Sequence, residues 1–234
     1  MTTNSAPHRS APVEHWVEAY SGGESLDGAA IVSAISEGLS PALAGYRYFR
    51  SKAAFCNKGQ DFDRYLRVIR GKGIVSLQFG LSHHGIEKAR EILFGRGYEF
   101  GSHHPSSISM TTTNIGPHSK AWHLPYRVQW PIIGSHGLAL ALPEICDFVS
   151  KTALPYVEAH QDPEAIRTTY LASPRRADFY ARAERIIYAV NYLKRDAARL
   201  RDDYTLLTKQ PLPPDELNLI SAGYESTWRA LNAA

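Results

Sequence analysis

The fold of this 234-residue chain is decided by residues 64–80, which read RYLRVIRGKGIVSLQFG. Large side chains alternate with a period of two on both sides of Gly71-Lys72-Gly73. That alternation is typical of β-strands, and a short glycine-rich segment between two such runs is typical of a tight turn. Arg64–Arg70 and Ile74–Gly80 are therefore predicted to pair as an antiparallel hairpin.

The residues before this hairpin continue the same pattern. Tyr46–Ser51 and Ala53–Cys56 are predicted to be strands, and Asn57–Gln60 a turn between strands. Consecutive strands joined by short turns favour an antiparallel meander. Further short strands are predicted within Ser107–Thr113 and Tyr126–Trp130.

Helical periodicity dominates the rest of the sequence. Apolar residues recur every three or four positions from Leu26, with Asp27 near the helix start, and again over Ile86–Phe94. The chain is predicted to be helical from Leu138 onward, with one long helix from Pro174 to Tyr204 and a last helix capped by Asp215 and ending near Leu231. The predicted fold class is α+β, with an antiparallel sheet in the N-terminal half packed against helices and a helical C-terminal third.

Composition places limits on the compartment and the domain organisation. Residues 1–12 are rich in Ser, Thr, Ala and Pro and are predicted to be a disordered tail, followed by one domain over residues 13–234. Only two cysteines occur, and no run of about 18 apolar residues is present. We therefore expect a cytoplasmic protein that does not contact a membrane. The net charge of +3 is too small to indicate nucleic-acid binding.

Histidine is the most unusual residue type in the sequence. Seven of the ten histidines fall between residues 83 and 136. Imidazole is the commonest metal ligand in proteins, so this segment could support a metal-assisted hydrolase. Their spacing matches no established metal site, and histidines in loops and on the surface are the alternative interpretation. The candidate ligands are His83, His103, His118, His123 and His136.

Other catalytic motifs are missing from the sequence. There is no Gly-x-Ser-x-Gly segment, and Gly71-Lys72-Gly73 lies between two predicted strands, whereas a phosphate-binding loop precedes a helix. Cys56 and Cys146 lie in apolar runs that are typical of core positions. The sequence therefore favours a protein that is not an enzyme, with no catalytic residue and no cofactor.

Arginines and tryptophans supply the candidate partner-binding residues. From Arg175 to Arg201 there are seven arginines and one lysine against three acidic residues. This face is either a solvated helix surface or a docking surface for an acidic protein. Tryptophans between residues 120 and 130 could form an interface or cover a sheet edge. The candidates are Arg175, Arg182, Arg185, Arg199, Trp122 and Trp130.

Three short segments carry a diffuse family resemblance. They are Leu39–Leu43 followed by Gly45-Tyr46-Arg47-Tyr48, then Leu77-Gln78-Phe79-Gly80-Leu81, then Ala153-Leu154-Pro155-Tyr156-Val157-Glu158. In this order they resemble a bacterial domain-of-unknown-function family of immunity-like α+β proteins associated with polymorphic toxins. The resemblance covers roughly residues 25–205 and implies an α+β fold and a non-enzymatic binding role. It implies no catalytic residues.

Two hypotheses follow. In the first, the chain is a cytoplasmic, immunity-like protein-interaction protein, which binds and neutralises a toxin or another protein. In the second, it is a metal-assisted hydrolase that uses the histidine-rich segment. Nucleic-acid binding is not favoured because no aromatic stacking platform occurs at a recognisable spacing.

Overall fold

The computed structural model describes residues 22–71, 73–95, 107–112, 129–172, 183–209 and 211–233. Its strands are β1 (Arg47–Phe49), β2 (Ala54–Lys58), β3 (Phe62–Arg70), β4 (Ile74–His83), β5 (Ile108–Thr111) and β6 (Trp130–Pro131). Its helices are α1 (Gly28–Leu39), α2 (His84–Phe94), α3 (Ser135–Phe148), α4 (Leu154–Ala159), α5 (Pro163–Ala172), α6 (Ala183–Lys194), α7 (Ala197–Thr208) and α8 (Pro214–Asn232). The predicted α+β class, with an antiparallel sheet in the N-terminal half and a helical C-terminal region, is confirmed. The predicted tail at residues 1–12 lies outside the described residues.

The β3–β4 hairpin forms the centre of the sheet. Strands β1 to β4 pair in chain order, every pairing is antiparallel, and Phe55, Leu66 and Phe79 form one row across β2, β3 and β4. All three side chains are buried. Phe148 of α3 and Tyr156 of α4 contact the Phe79 ring edge-on at centroid distances of 5.9 and 5.6 Å. The predicted alternation therefore marks the sheet face that the helices cover.

The outer edge of β4 is shared by two short strands. β6 pairs with its first two residues and β5 pairs with Gln78–Leu81. Next to β5, the Leu77 N–H donates to Thr112 Oγ1 at 2.9 Å, and the His83 N–H donates to Ser107 Oγ at 2.8 Å. Side-chain hydroxyls thus take the place of strand carbonyls at both ends of β5.

The first hairpin differs from the prediction in its turn. Arg50–Lys52 form a short 3-10 helix, and Ala53 has a left-handed backbone conformation with φ of 47°. Ala53 was predicted to begin a strand and is instead a turn residue. The turn predicted at Asn57–Gln60 begins at Gly59, whose N–H donates to the Phe62 carbonyl at 3.0 Å. Of the strand predicted within Tyr126–Trp130, only the last two residues are described, and Trp130 begins β6.

Helix α6 lies at the centre of the helical layer. It contacts α2, α5, α7 and α8, and eight of its twelve residues are buried. Buried apolar side chains of the sheet and of the helices belong to one core cluster. Among the described residues, no helix is both long enough and apolar enough to cross a membrane.

The prediction of one long helix from Pro174 to Tyr204 is wrong in its described part. Helix α6 ends at Lys194, and Arg195 takes a left-handed conformation with φ of 52°. The Arg195 and Asp196 N–H groups donate to the carbonyls of Tyr192 and Asn191, each at 3.1 Å, which is the hydrogen-bond pattern of a Schellman helix end. Asp196 then caps α7 by accepting from the Arg199 N–H at 2.9 Å.

The other predicted helix signals had mixed outcomes. Asp27 does cap α1, because its side chain accepts from the Ala30 N–H at 2.7 Å. Asp215 does not cap α8, since the capping position is Pro213 and Asp215 lies in the first turn. Pro155 is the second residue of α4, which starts at Leu154 directly after a π-helical turn, Val149–Ala153, so the chain of helical residues is unbroken.

We expect Gly80→Ala to destabilise the protein by about 1–3 kcal/mol, because the added methyl group overpacks the β4–β5 contact. A Cβ atom at Gly80 would overlap the Ile108 carbonyl oxygen and lie 2.7 Å from Ser109 Cα, and both are backbone atoms. Gly85→Ala in α2 is the matched control, since its Cβ would meet the His83 ring at an ordinary 3.4 Å. Urea denaturation measures both changes, and equal stability of the two variants would contradict the β4–β5 packing.

We expect Arg195→Gly to stabilise the protein by about 1 kcal/mol, since a left-handed backbone costs an L-residue roughly that much. The control is Lys194→Gly, one residue earlier and inside α6, which should give no gain because helical glycine is unfavourable. Thermal unfolding followed by circular dichroism measures both variants. A fall in stability for Arg195→Gly would show that the helix break has another origin.

Candidate functional site

The predicted histidine ligands do not come together in the described part of the chain. His83 ends β4, whereas His136 lies in the first turn of α3, just after β6 pairs with the other end of β4. Val75 is the β4 residue that pairs with β6, the strand just before His136. It lies eight strand residues from His83, or roughly 26 Å at about 3.3 Å per residue. His103, His118 and His123 lie outside the described residues. Within the described ranges, no group of three or more His, Cys, Asp or Glu side chains could hold a metal ion.

His83 and His84 occupy different environments although they are adjacent. His84 is exposed, with Nδ1 3.0 Å from the Gln60 carbonyl oxygen and Nε2 3.3 Å from Asp63 Oδ1. His83 is half-buried, and this burial lowers its pKa. Its Nδ1 atom is buried without a hydrogen-bond partner among the described residues. Asp63 is a carboxylate beside His84, but in the described ranges no third side chain completes a metal site around this pair.

The contact that most resembles a catalytic pair joins a serine hydroxyl to a glutamate carboxylate. Ser107 Oγ donates to Glu87 Oε1 at 2.6 Å, and Arg90 donates to the second oxygen of Glu87 at 2.7 Å. Ser107 is completely buried, so its hydroxyl is closed to a substrate. The Tyr170 hydroxyl also donates to the Ser107 carbonyl at 3.0 Å. This cluster fixes the start of β5 between α2 and α5.

Of the arginines predicted to bind a partner, both described ones are engaged within the chain. Arg185 lies over the Phe94 ring with its guanidinium carbon 5.3 Å from the centroid. Arg199 donates to Glu164 Oε2 at 2.6 Å and is only about one-third exposed. Arg175 and Arg182 lie outside the described residues. Two of the predicted docking arginines are thus engaged within the chain, whereas Lys194, Arg195 and Arg201 of the same basic segment are exposed. The docking role of this segment stays a prediction.

Arg199 belongs to an ion-pair network that joins three helices. Asp203 of α7 is fully buried, and its carboxylate accepts two hydrogen bonds from Arg167 of α5, one of them at 2.7 Å. Asn191 of α6 donates to the same carboxylate at 2.7 Å. Arg167 also donates to Glu164 at 2.6 Å, and Glu164 in turn binds Arg199. These charges are paired with one another and join α5, α6 and α7.

The prediction that Trp130 contacts a partner is corrected by its position. Its side chain is 1% exposed and packs edge-on against Phe148 at 5.8 Å. The indole covers the end of the sheet where β6 pairs with β4, which is the alternative that the sequence left open. Trp122 lies outside the described residues.

A surface that the sequence analysis did not identify lies on α7 and α8. Four side chains stack in series there and are hereafter called the aromatic face: Arg201, Tyr204, Tyr224 and Trp228. The Tyr204 and Tyr224 rings are 4.4 Å apart, and Trp228 stacks on Tyr224 at 6.0 Å with an interplanar angle of 23°. Arg201 covers the outer end, with its guanidinium carbon 5.4 Å from the Trp228 centroid.

The aromatic face is partly exposed and well ordered by its own contacts. All three rings are half-buried, and Arg201 is exposed. The Tyr204 hydroxyl lies 3.1 Å from Ser221 Oγ, which fixes the first ring. The sequence signal was the spacing of three between residues 201 and 204 and of four between residues 224 and 228, which places each pair on one helix face. The pairing of α7 with α8 could not be inferred from that spacing.

We expect Asp203→Asn to destabilise the protein by about 3 kcal/mol, because the variant leaves the Arg167 charge in a largely buried site with less compensation. The control is Asp147→Asn, which removes an exposed pair with Lys151 at 2.6 Å and should change stability by at most about 0.5 kcal/mol. Equilibrium denaturation in urea gives both values. Similar effects for the two variants would show that the network does not stabilise the helical layer.

Comparison of the chain with known protein families, with curated proteins and with solved structures finds no match. The resemblance to immunity-like proteins therefore stays a prediction.

Proposed function

We propose that the protein acts by binding another protein through the aromatic face. The observation that carries this proposal is the half-exposed stack of Tyr204, Tyr224 and Trp228 with Arg201 at its end. Tryptophan, tyrosine and arginine are the residue types enriched among binding hot spots. Their presence in one contiguous surface favours protein recognition.

The stack is organised in advance of binding. Each ring is held by a neighbouring ring, and Tyr204 also contacts the Ser221 hydroxyl. A side chain that is already ordered loses little rotamer entropy when a partner arrives, and this loss is one of the main costs of association. The aromatic face can therefore convert most of its contact energy into affinity.

The charges around the aromatic face support a protein partner over nucleic acid. Arg201 is the cation of the face itself; the neighbouring Asp202 and Glu225 are exposed carboxylates, and Glu225 pairs with the exposed Arg229 at 3.9 Å. A nucleic-acid surface needs several cations, because affinity comes largely from neutralised phosphates. The partner that fits best offers apolar side chains to the rings and a carboxylate to Arg201, which a guanidinium binds well.

The resemblance to immunity-like proteins suggests the kind of partner. An immunity-like protein binds a toxin and blocks it, which requires a surface and no reaction centre. We therefore propose that the partner is a toxin, or another protein, encoded near this chain. In the described ranges, the lack of a group of metal-ligating side chains is compatible with such a role.

The test is co-purification of the chain with the products of neighbouring genes, followed by affinity measurement by calorimetry. Trp228→Ala should weaken binding by about 30-fold, which corresponds to roughly 2 kcal/mol at a hot spot. Arg201→Glu should weaken it as well, and this exposed position should tolerate the change without loss of fold.

Leu206→Ala is the matched control for this experiment. Leu206 lies on α7 and is 55% exposed, outside the aromatic face, so its truncation should leave the affinity unchanged. Equal binding by the wild type and both aromatic-face variants would refute the assignment of this surface. Binding of nucleic acid with a steep salt dependence would refute the proposal of a protein partner.

A further inference from the structure

His160 joins the end of α4 to α5. It lies at the C-terminal cap of α4 and is 2% exposed. Its Nδ1 atom is 2.7 Å from the Tyr156 carbonyl oxygen, and its Nε2 atom is 2.8 Å from Thr169 Oγ1 on α5. The imidazole also packs on the Tyr156 ring at 4.3 Å. One side chain therefore connects the two helices.

These partners fix the protonation state of the ring. A carbonyl oxygen only accepts, so Nδ1 carries the hydrogen and Nε2 accepts from the Thr169 hydroxyl. A second proton on Nε2 would displace the hydroxyl hydrogen and place a positive charge in a buried site. Burial lowers the pKa of His160, and the hydrogen bond to Tyr156 opposes this only in part.

The charged groups on the segments around His160 are either exposed or bound to other residues. Glu158 on α4 is exposed. Asp162, in the turn before α5, accepts from the Glu164 N–H at 3.1 Å. On α5, Glu164 and Arg167 belong to the ion-pair network with Arg199 and Asp203. The nearby titratable phenols are Tyr65, Tyr156 and Tyr170.

Helix α5 is the element that His160 holds; it packs against α6 and makes side-chain hydrogen bonds in three other directions. Tyr170 donates to the Ser107 carbonyl beside β5 at 3.0 Å, and Arg167 binds Asp203 on α7. The third contact is Thr169 with His160. Loss of the His160 contact would remove the hydrogen bond between His160 and α5 and leave α5 attached to β5, α6 and α7.

We propose that the buried, neutral His160 makes α5 open more readily in acid than the rest of the helical layer, because opening lets the imidazole take up a proton. This would be a pH-sensitive device built into the fold, and it does not depend on the proposed partner. An opened α5 exposes the imidazole, which then takes up a proton with a pKa near the ordinary histidine value of about 6.5.

The direction of the effect follows from linkage. Because the opened form binds the proton more readily than the closed form, closure is fully favoured above about pH 6.5 and weakens as the pH falls below it. Between pH 7.5 and pH 5.5, this single site can raise the population of the opened form by at most about tenfold.

Hydrogen exchange with mass spectrometry tests the proposal, after correction for the intrinsic exchange rate at each pH. Protection of amides in α5 should fall by up to about tenfold more than protection in α8 between pH 7.5 and pH 5.5. His160→Gln, which keeps one donor and one acceptor but cannot titrate there, should abolish this difference. His84→Gln, at an exposed histidine, should leave it intact.

Two results would overturn the proposal. One is an equal change in α5 and α8 in the wild type, and the other is an unchanged difference in His160→Gln. If that variant does not fold, titration of the wild-type His160 ring by NMR decides the matter. A midpoint below the ordinary histidine value supports the device, and a midpoint at or above that value excludes it.

Discussion

The buried carboxylate of Asp203 is the constraint on which the helical half of this protein depends. A charge with no exposure is tolerated only when it is paired and hydrogen-bonded, and Arg167 and Asn191 supply those bonds. The three residues come from α7, α5 and α6, so one carboxylate fixes the relative positions of three helices. Since α8 packs on both α6 and α7, its position follows as well, and with it the geometry of the aromatic face.

Sequence periodicity is sufficient to predict the strands of the sheet and insufficient to predict where the helices end. Leu66 and Phe79 could be assigned to one buried face because strand side chains alternate strictly. The break at Arg195 was missed because the apolar stripe continues at helical spacing from Val190 to Leu200 on both sides of it. A left-handed residue at a helix end is usually glycine, but here it is Arg195, so the sequence does not show that the helix ends. Only Asp196 marks the start of the new helix.

The candidate site was predicted from residue types, and residue types alone do not reveal which side chains are already engaged. Arg199 was counted as an available cation, but Glu164 binds it from a helix 35 residues away. The sequence leaves open whether Trp130 forms an interface or covers a sheet edge, and the Phe148 ring and the β6–β4 pairing bury it. Conversely, Trp228 and Tyr204 lie 24 positions apart in sequence, and only the packing of α8 on α7 places them in one surface.

The division of the β4 edge between β5 and β6 has a consequence for how this protein can associate. A long free edge invites another strand to add to the sheet, and that is the usual start of domain swapping and fibre formation. Here two short strands and the hydroxyls of Ser107 and Thr112 occupy most of that edge. The opposite edge is β1, which is three residues long and is followed by a 3-10 turn. Sheet extension is therefore disfavoured at both described edges, so recognition by strand addition is less available to this fold than recognition through helix side chains.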